Sequence, residues 1–164
     1  MTPEQRMIRD FQVLLGQPVQ DTPGLIEAED AGLRIALIAE EFNELIAAIA
    51  NEDIVAIADA LGDLKYVVEG AANGYGIDLE PVFLEIHRSN LEKLGPDGFV
   101  VRREDGKILK PEGWKPPDLK TVIEKQKESV RDRERKDNWF DYESVGQGVP
   151  AGTDHNPTDG EGTV

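Results

Sequence analysis

The sequence predicts an all-α protein, a four-helix bundle followed by a small β-hairpin, a C-terminal helix and a disordered tail. Three observations support this prediction. Apolar residues recur at helical spacing in four segments before residue 95. Short connections separate these segments, which is typical of helix bundles. A length of 164 residues suits one domain, or one domain with an appendage.

The first two helices have recognisable start and stop signals. Thr2 can cap the first helix with Pro3 at its first position, and Gly16 stops it. A loop follows, and Asp30 opens the second helix, which is expected to continue to about Asn51.

The next two helices start at acidic caps. Asp53 caps the third helix, which ends near Gly74, and Asp78 caps the fourth, which continues until Gly95. The apolar residues of the third helix form the stripe expected to be buried: Ile57, Leu61, Leu64 and Val68.

The pattern changes after the fourth helix. Asp105-Gly106 lies between two short extended segments and predicts a hairpin. A charged helix is expected from Asp118 to about Lys136, and the remainder is rich in Gly, Pro, Asp and Thr, which is typical of disorder. The predicted organisation is a domain with its hairpin over 1–119, a charged helix over 120–136 and an acidic tail over 137–164.

Composition excludes several function classes. The chain contains 33 acidic and 18 basic residues and no cysteine, so no disulfide, thiolate zinc site or cysteine nucleophile is expected. A net charge of -15 argues against binding to a nucleic acid backbone. No long apolar stretch or signal peptide is apparent, so we expect a cytoplasmic protein that does not bind membranes.

Acidic residues on the second and third helices form the main candidate site. Glu40, Glu41 and Glu44 occupy an arc of about 100° beside the apolar stripe of the second helix. Asp59 and Asp63 lie one turn apart on the third. If the two faces meet, the five carboxylates require a counter-charge, for which a hard divalent cation is suited. A solvated acidic surface is the alternative.

These motifs resemble those of a known superfamily. Glu40-Glu41-x-x-Glu44, Asp59-Ala60-Leu61-Gly62-Asp63, His87-Arg88-Ser89-Asn90-Leu91-Glu92-Lys93 and Gly106-Lys107-Ile108-Leu109-Lys110-Pro111-Glu112-Gly113 resemble the all-α nucleoside triphosphate pyrophosphohydrolases, or MazG-like proteins. The subgroup resembled is that of phosphoribosyl-ATP pyrophosphohydrolase, over roughly residues 3–119. The superfamily usually has a glutamate three residues before Asp63, where this chain has Ala60. Asp59 is the candidate replacement.

The resemblance implies a reaction and a set of site residues. It implies hydrolysis of a (d)NTP to the monophosphate and pyrophosphate, with Mg²⁺ or Mn²⁺ held by carboxylates. The implied metal ligands are Glu40, Glu41, Glu44, Asp59 and Asp63. Glu41 is also the catalytic candidate, either as a ligand of a second metal ion or as the group that orients the attacking water. The implied substrate-binding residues are Arg88, Asn90, Lys93, Lys107 and Lys110.

Several alternatives stay open at this stage. The substrate could be restricted to dUTP, a guanine (d)NTP or phosphoribosyl-ATP. A different class of function is a non-catalytic helical module whose acidic face binds a basic partner. We also expect a homodimer or a dimer of dimers, because the second helix has a wide apolar arc. The residues of that arc are Ile35, Ile38, Phe42, Leu45, Ile46 and Ile49.

Overall fold

The chain is all-α, as predicted. A computed structural model describes residues 1–95 and 98–145, and only the backbone at residues 134 and 136–145. The helices are α1 (Pro3–Leu14), α2 (Ala28–Ala50), α3 (Ile54–Gly74), α4 (Leu79–Leu91) and α5 (Leu119–Val145). None of the described helices is both long enough and apolar enough to cross a membrane.

The predicted caps start three of the helices. The Thr2 hydroxyl accepts a hydrogen bond from Gln5 N at 3.1 Å. The carboxylates of Asp53 and Asp78 accept backbone N–H groups at the starts of α3 and α4. α2 differs, since it begins at Ala28, two residues before Asp30, which was predicted to open it, and no side chain caps it.

Small residues set the closest helix contacts. α3 packs against both α1 and α2. At the α2–α3 contact Ala48 is 6% exposed and Ala60 is 3% exposed. At the α1–α3 contact a Cβ added to Gly70 would lie 3.4 Å from Gln12 Nε2. The absence of larger side chains at these positions allows the helices to approach closely.

The predicted apolar stripe of α3 is wrong in part. Leu61 is 51% exposed and Val68 is 40% exposed. The buried residues of α3 are Ala60, Glu69, Gly70, Ala72, Asn73 and Gly74. α1 and α2 contact α3 along its small residues, so the large apolar side chains are turned away from these contacts.

A buried amide network joins α1 to α3. Gln5, Gln12 and Asn73 are each at most 2% exposed. Asn73 Nδ2 donates to Gln12 Oε1 at 2.9 Å and to Gln5 O at 3.2 Å. Gln5 Nε2 donates to Asn73 Oδ1 at 3.1 Å and to Ile77 O at 2.8 Å. The network satisfies these buried polar groups and fixes α1 against the end of α3.

The segments around α4 are held by two further polar contacts. Gln126 of α5 donates to Asp78 O at 2.9 Å and accepts from Asp78 N at 3.0 Å. Trp114 Nε1 donates to Ser89 O at 2.8 Å. The connection between α4 and α5 is therefore anchored at the C-terminal end of α4.

The predicted β-hairpin is not formed. Gly106 adopts a φ of 85° in a turn closed by its N–H on Arg103 O at 2.9 Å. Beyond this turn a single antiparallel bridge joins Arg102 to Ile108, and the described residues contain no strand. Two extended segments on their own are marginally stable in water, and both segments here are largely exposed.

The C-terminal helix is longer than predicted. The described residues divide into two compact units, one ending at Val130 and the other beginning at Arg131. α5 continues to Val145, so the helix extends past residue 136 into the segment expected to be disordered. The rest of the predicted tail, residues 146–164, lies outside the described residues. The boundary at residue 119 stays a prediction.

Candidate functional site

The acidic faces of α2 and α3 lie close enough to interact. The two helices form an antiparallel pair joined by a short turn at Asn51–Asp53. Glu41 is half-buried. This burial raises the pKa of the Glu41 carboxyl, and four neighbouring carboxylates raise it further: Glu44, Asp63, Glu40 and Asp59. The structure therefore brings together the five acidic residues that the sequence singled out.

A groove of about 250 Å³ opens between α2 and α3 beside this cluster. Its lining residues are Glu44, Ala47, Ala48, Asn51, Asp53, Ala56, Asp59 and Ala60. Ala60 is buried in the helix contact, whereas Asp59 next to it is exposed. A longer acidic side chain at position 60 would start inside this contact. Asp59 is thus the better placed of the two positions to offer a carboxylate to the groove.

The carboxylate oxygens of the cluster are suitable ligands for a hard cation, but they are not arranged as a complete ligand set. Among the side chains that the structure describes, in residues 1–95, 98–133 and 135, no three His, Asp or Glu groups are arranged to hold a metal ion. Apart from Glu41, the carboxylates of the cluster are exposed, so they can change rotamer. An all-oxygen donor set fits Mg²⁺ or Mn²⁺, and Mg²⁺ usually retains several water ligands. The metal site stays a prediction.

The basic residues of α2 and α3 do not neutralise this cluster. Lys65 Nζ lies 3.4 Å from Glu69 and 3.7 Å from Glu4, on another side of α3. Arg34 is 6% exposed, and among the described residues its guanidinium donates only to Gln17, at 3.5 Å. In the part of the chain that the structure describes, neither residue forms an ion pair with the five carboxylates.

Arg88, predicted to bind substrate, is engaged by two carboxylates. Its guanidinium donates to both oxygens of Glu85, at 2.7 and 2.8 Å, and to Glu92 at 2.5 Å. The bonds from Arg88, with a further one from Asp118 N, lower the pKa of Glu85 to about 2. Glu85 was not among the predicted site residues, although its spacing of three residues from Arg88 was a usable signal.

The other predicted substrate-binding residues lie near the C-terminal end of α4. Lys93 Nζ donates to Asn90 Oδ1 at 2.7 Å. Lys110 Nζ lies 3.8 Å from the ring centroid of Trp114, which is itself bonded to Ser89. Lys107 follows the nearby turn and is exposed. Among the described residues no hydrogen bond or ion pair joins this group to the five carboxylates.

A family model identifies the fold family of the chain. The model for phosphoribosyl-ATP pyrophosphohydrolase matches residues 8–90, about half of the sequence. The chain belongs to the phosphoribosyl-ATP pyrophosphohydrolase family. The matched range includes all five carboxylates of the α2–α3 cluster and ends at Asn90. Membership confirms the resemblance and supports a function of the nucleotide pyrophosphohydrolase type.

One protein sequence and one solved structure are similar to different portions of this chain. Uncharacterized protein L479 of Acanthamoeba polyphaga mimivirus is 37% identical over 67 residues, which is 41% of this chain. The match spans only 24% of that relative's length. A crystal structure of a candidate NTP pyrophosphohydrolase from Exiguobacterium sp. 255-15 is 26% identical and covers 82% of this chain and 98% of that one. The TM-score between this structure and that of the chain is 0.43.

Proposed function

We propose that the chain is a divalent-metal-dependent pyrophosphohydrolase that converts a nucleoside triphosphate and water into the monophosphate and pyrophosphate. The convergence of four carboxylates around Glu41, in a member of this family, is the observation that supports the proposal most. The activity would serve nucleotide-pool control in the cytoplasm.

The carboxylates divide into two roles in this proposal. Glu40, Glu44, Asp59 and Asp63 hold Mg²⁺ or Mn²⁺, and Glu41 can contribute a further ligand. A bound cation neutralises triphosphate charge and lowers the pKa of the attacking water. Glu41 is half-buried and the pKa of its carboxyl is raised by burial and by the neighbouring carboxylates, so we assign it the role of general base. It orients the attacking water and accepts its proton.

The triphosphate needs positive charge on the protein as well. Lys93, Lys107 and Lys110 supply it in our proposal, and Asn90 adds a hydrogen bond to phosphate or ribose. Lys93 would exchange its contact with Asn90 for phosphate. Arg88 would have to leave a carboxylate partner to bind phosphate, so we expect its contribution to be smaller than that of the lysines.

Thermal denaturation with and without metal tests the cation. Mn²⁺ at about a hundredfold excess over its Kd should stabilise the folded chain by about 2.7 kcal/mol, and EDTA should reverse the gain. Asp63→Asn and Glu44→Gln should each remove most of it. Asp10→Asn, an exposed acid on α1, is the matched control and should retain it. If millimolar Mn²⁺ leaves the melting temperature unchanged, the proposed metal site is wrong.

Product analysis tests the bond that is cleaved. A panel of dNTPs and NTPs, with dUTP and phosphoribosyl-ATP, is incubated with Mg²⁺ or Mn²⁺ and assayed for pyrophosphate and monophosphate. Pyrophosphate release that requires Glu41 supports the proposal, whereas orthophosphate as the first product contradicts it. The panel also separates a broad activity from one restricted to dUTP, a guanine nucleotide or phosphoribosyl-ATP.

A non-catalytic acidic module is the second candidate function. The finding in its favour is that no ready-made ligand set exists among the described carboxylates. Under this alternative the cluster binds a basic partner rather than a metal ion and a nucleotide. The absence of both divalent-metal binding and nucleotide turnover over the whole panel would favour it over the enzyme.

We also propose a homodimer, or a dimer of dimers, formed through the outer face of α2. Ile35, Phe42, Ile46 and Ile49 lie on this face and are 51–69% exposed. Apolar side chains exposed together in this way are typical of a protein interface. Light scattering should therefore give at least twice the monomer mass of 18.1 kDa, and Phe42→Glu should reduce it. A monomer at micromolar concentration would contradict the dimer.

A further inference from the structure

A second groove lies on another side of α3, outside the proposed nucleotide site. It has a volume of about 330 Å³, within the range of small-ligand pockets. Its lining residues are Thr2, Glu4, Lys65, Val68, Glu69, Leu79, Glu80, Phe83 and Leu84. Glu69 follows Asp63 by six residues, which places it about 120° from Asp63 around the helix axis. The groove and the carboxylate cluster therefore open on different faces.

Glu69 lines this groove and is a buried residue. It is 8% exposed. One oxygen, Oε1, lies 3.4 Å from Lys65 Nζ. The other oxygen, Oε2, has no hydrogen-bond partner in the part of the chain that the structure describes. Buried polar atoms are normally paired, so an unpaired carboxylate oxygen beside a cavity indicates a missing donor.

The charges around the groove indicate that the missing donor carries a positive charge. Lys65 is shared between Glu69 and Glu4, which lies 3.7 Å from its Nζ. Glu80 pairs at 3.1 Å with the amino group of Met1, which also contacts Asp78. Around the groove, carboxylates thus outnumber cationic groups. An anionic ligand would be repelled, and a cationic one attracted.

The remaining surface of the groove is apolar and accessible. Phe83 is 66% exposed, Leu84 is 59% exposed and Val68 is 40% exposed. The Phe83 ring also stacks on the His87 imidazole with 6.2 Å between centroids. A ligand with a flat apolar body could cover these side chains while its polar end reaches the floor of the groove.

We propose that this groove binds an aromatic organic cation, whose N–H groups bond to Glu69 Oε2 and whose ring packs against Val68, Phe83 and Leu84. The terminal torsion of a glutamate is soft, so a small rotation can turn Oε2 toward the ligand. A charge-assisted hydrogen bond then satisfies the unpaired oxygen. The site is independent of nucleotide hydrolysis.

Benzamidine is a suitable probe because it joins an aromatic ring to an amidinium group. Isothermal titration calorimetry of the full chain should detect benzamidine binding. In ¹⁵N NMR spectra, benzamidine should change the chemical shifts of the backbone amides of Val68, Glu69 and Leu84. Benzamide and benzoate have nearly the same shape without the positive charge. Both should bind at least tenfold more weakly than benzamidine.

Two variants separate the contribution of the charged hydrogen bond from that of packing against the aromatic ring. Glu69→Gln should weaken benzamidine at least tenfold, whereas Glu29→Gln, an exposed acid on α2, should leave it unchanged. Phe83→Ala removes an exposed ring that the fold does not need, so it stays informative if Glu69→Gln misfolds. It should weaken benzamidine several-fold.

Several results would overturn the proposal. They are the absence of benzamidine binding to the wild-type chain, equal binding of benzamide, or amide shifts confined to the α2–α3 cluster. Undiminished binding to Glu69→Gln would also overturn it. If Phe83→Glu dissociates an oligomer and the wild-type groove excludes benzamidine, a second copy of the chain covers this surface instead.

Discussion

Truncation of Asn73 tests whether the buried amide network holds α1 against α3. Asn73 is 1% exposed, and its side chain makes three hydrogen bonds, one of them to Gln12 Oε1 at 2.9 Å. No other donor to this Gln12 oxygen is found among the described residues, so Asn73→Ala leaves a buried acceptor unpaired. Gln5 Nε2 keeps its second acceptor, Ile77 O, at 2.8 Å.

The expected loss follows from these contacts. An unpaired buried acceptor costs about 1–3 kcal/mol, and each of the two other lost bonds contributes about 0.5–1.5 kcal/mol. Asn73→Ala should therefore lower the free energy of unfolding by about 4 kcal/mol. For a chain of this size that corresponds to a melting temperature lower by about 8–16 °C.

Urea denaturation and calorimetry measure this loss directly. Asn43→Ala, the same substitution at an exposed position of α2, should change the free energy of unfolding by less than about 0.5 kcal/mol. Combining Asn73→Leu with Gln12→Leu should cost less than the sum of the single changes, because both polar partners are then removed. If Asn73→Ala resembles the Asn43 control, the network does not stabilise the fold.

Three further predictions concern acid dependence and backbone strain. The folded-state pKa of Glu85 is about 2 against an ordinary 4.5, so its bonds to Arg88 stabilise the fold above pH 4.5 and are lost between pH 4.5 and 2. Glu85→Gln should lower the free energy of unfolding at pH 6, and the difference from wild type should shrink below pH 4.5 and vanish only below pH 2. Glu41 has a raised pKa, so its charge opposes folding at neutral pH, and this effect disappears as pH falls below 4.5. Metal-free Glu41→Gln should melt higher than wild type at pH 7 and equally at pH 4. Gly76→Ala should be strongly destabilising in a thermal melt, because φ is +66° and the new Cβ would lie 2.4 Å from Thr22 O.

Local signals in the sequence were sufficient to locate most of the helices. Thr2, Asp53 and Asp78 cap the helices that they were predicted to start, since capping depends on atoms within one turn. Glu27 precedes α2 without a side-chain cap, and for this reason the start of that helix was placed two residues late. The hairpin failed because a local turn signal cannot supply the partner that a pair of strands needs.

The candidate site was predictable for a related reason. Glu40, Glu41 and Glu44 share a face through helical periodicity alone, and so do Asp59 and Asp63. Their mutual approach also required α2 and α3 to form an antiparallel pair, which the short turn between them favours. The family resemblance added the expected chemistry. Neither helical periodicity nor this resemblance specifies how the carboxylate oxygens are arranged around a cation.

Only the tertiary structure decided which side chains became buried. Periodicity places Leu61 and Ala60 equally well on a helix, yet α2 approaches α3 at Ala60 and leaves Leu61 largely exposed. The bond between Gln5 and Asn73 joins residues 68 positions apart. Such contacts depend on the distance and rotation between packed helices, and these are determined by the sum of all side-chain contacts rather than by any short segment. Hence the sequence by itself determined the helices and the acidic faces, whereas helix packing determined the buried network and the unpaired carboxylate of Glu69.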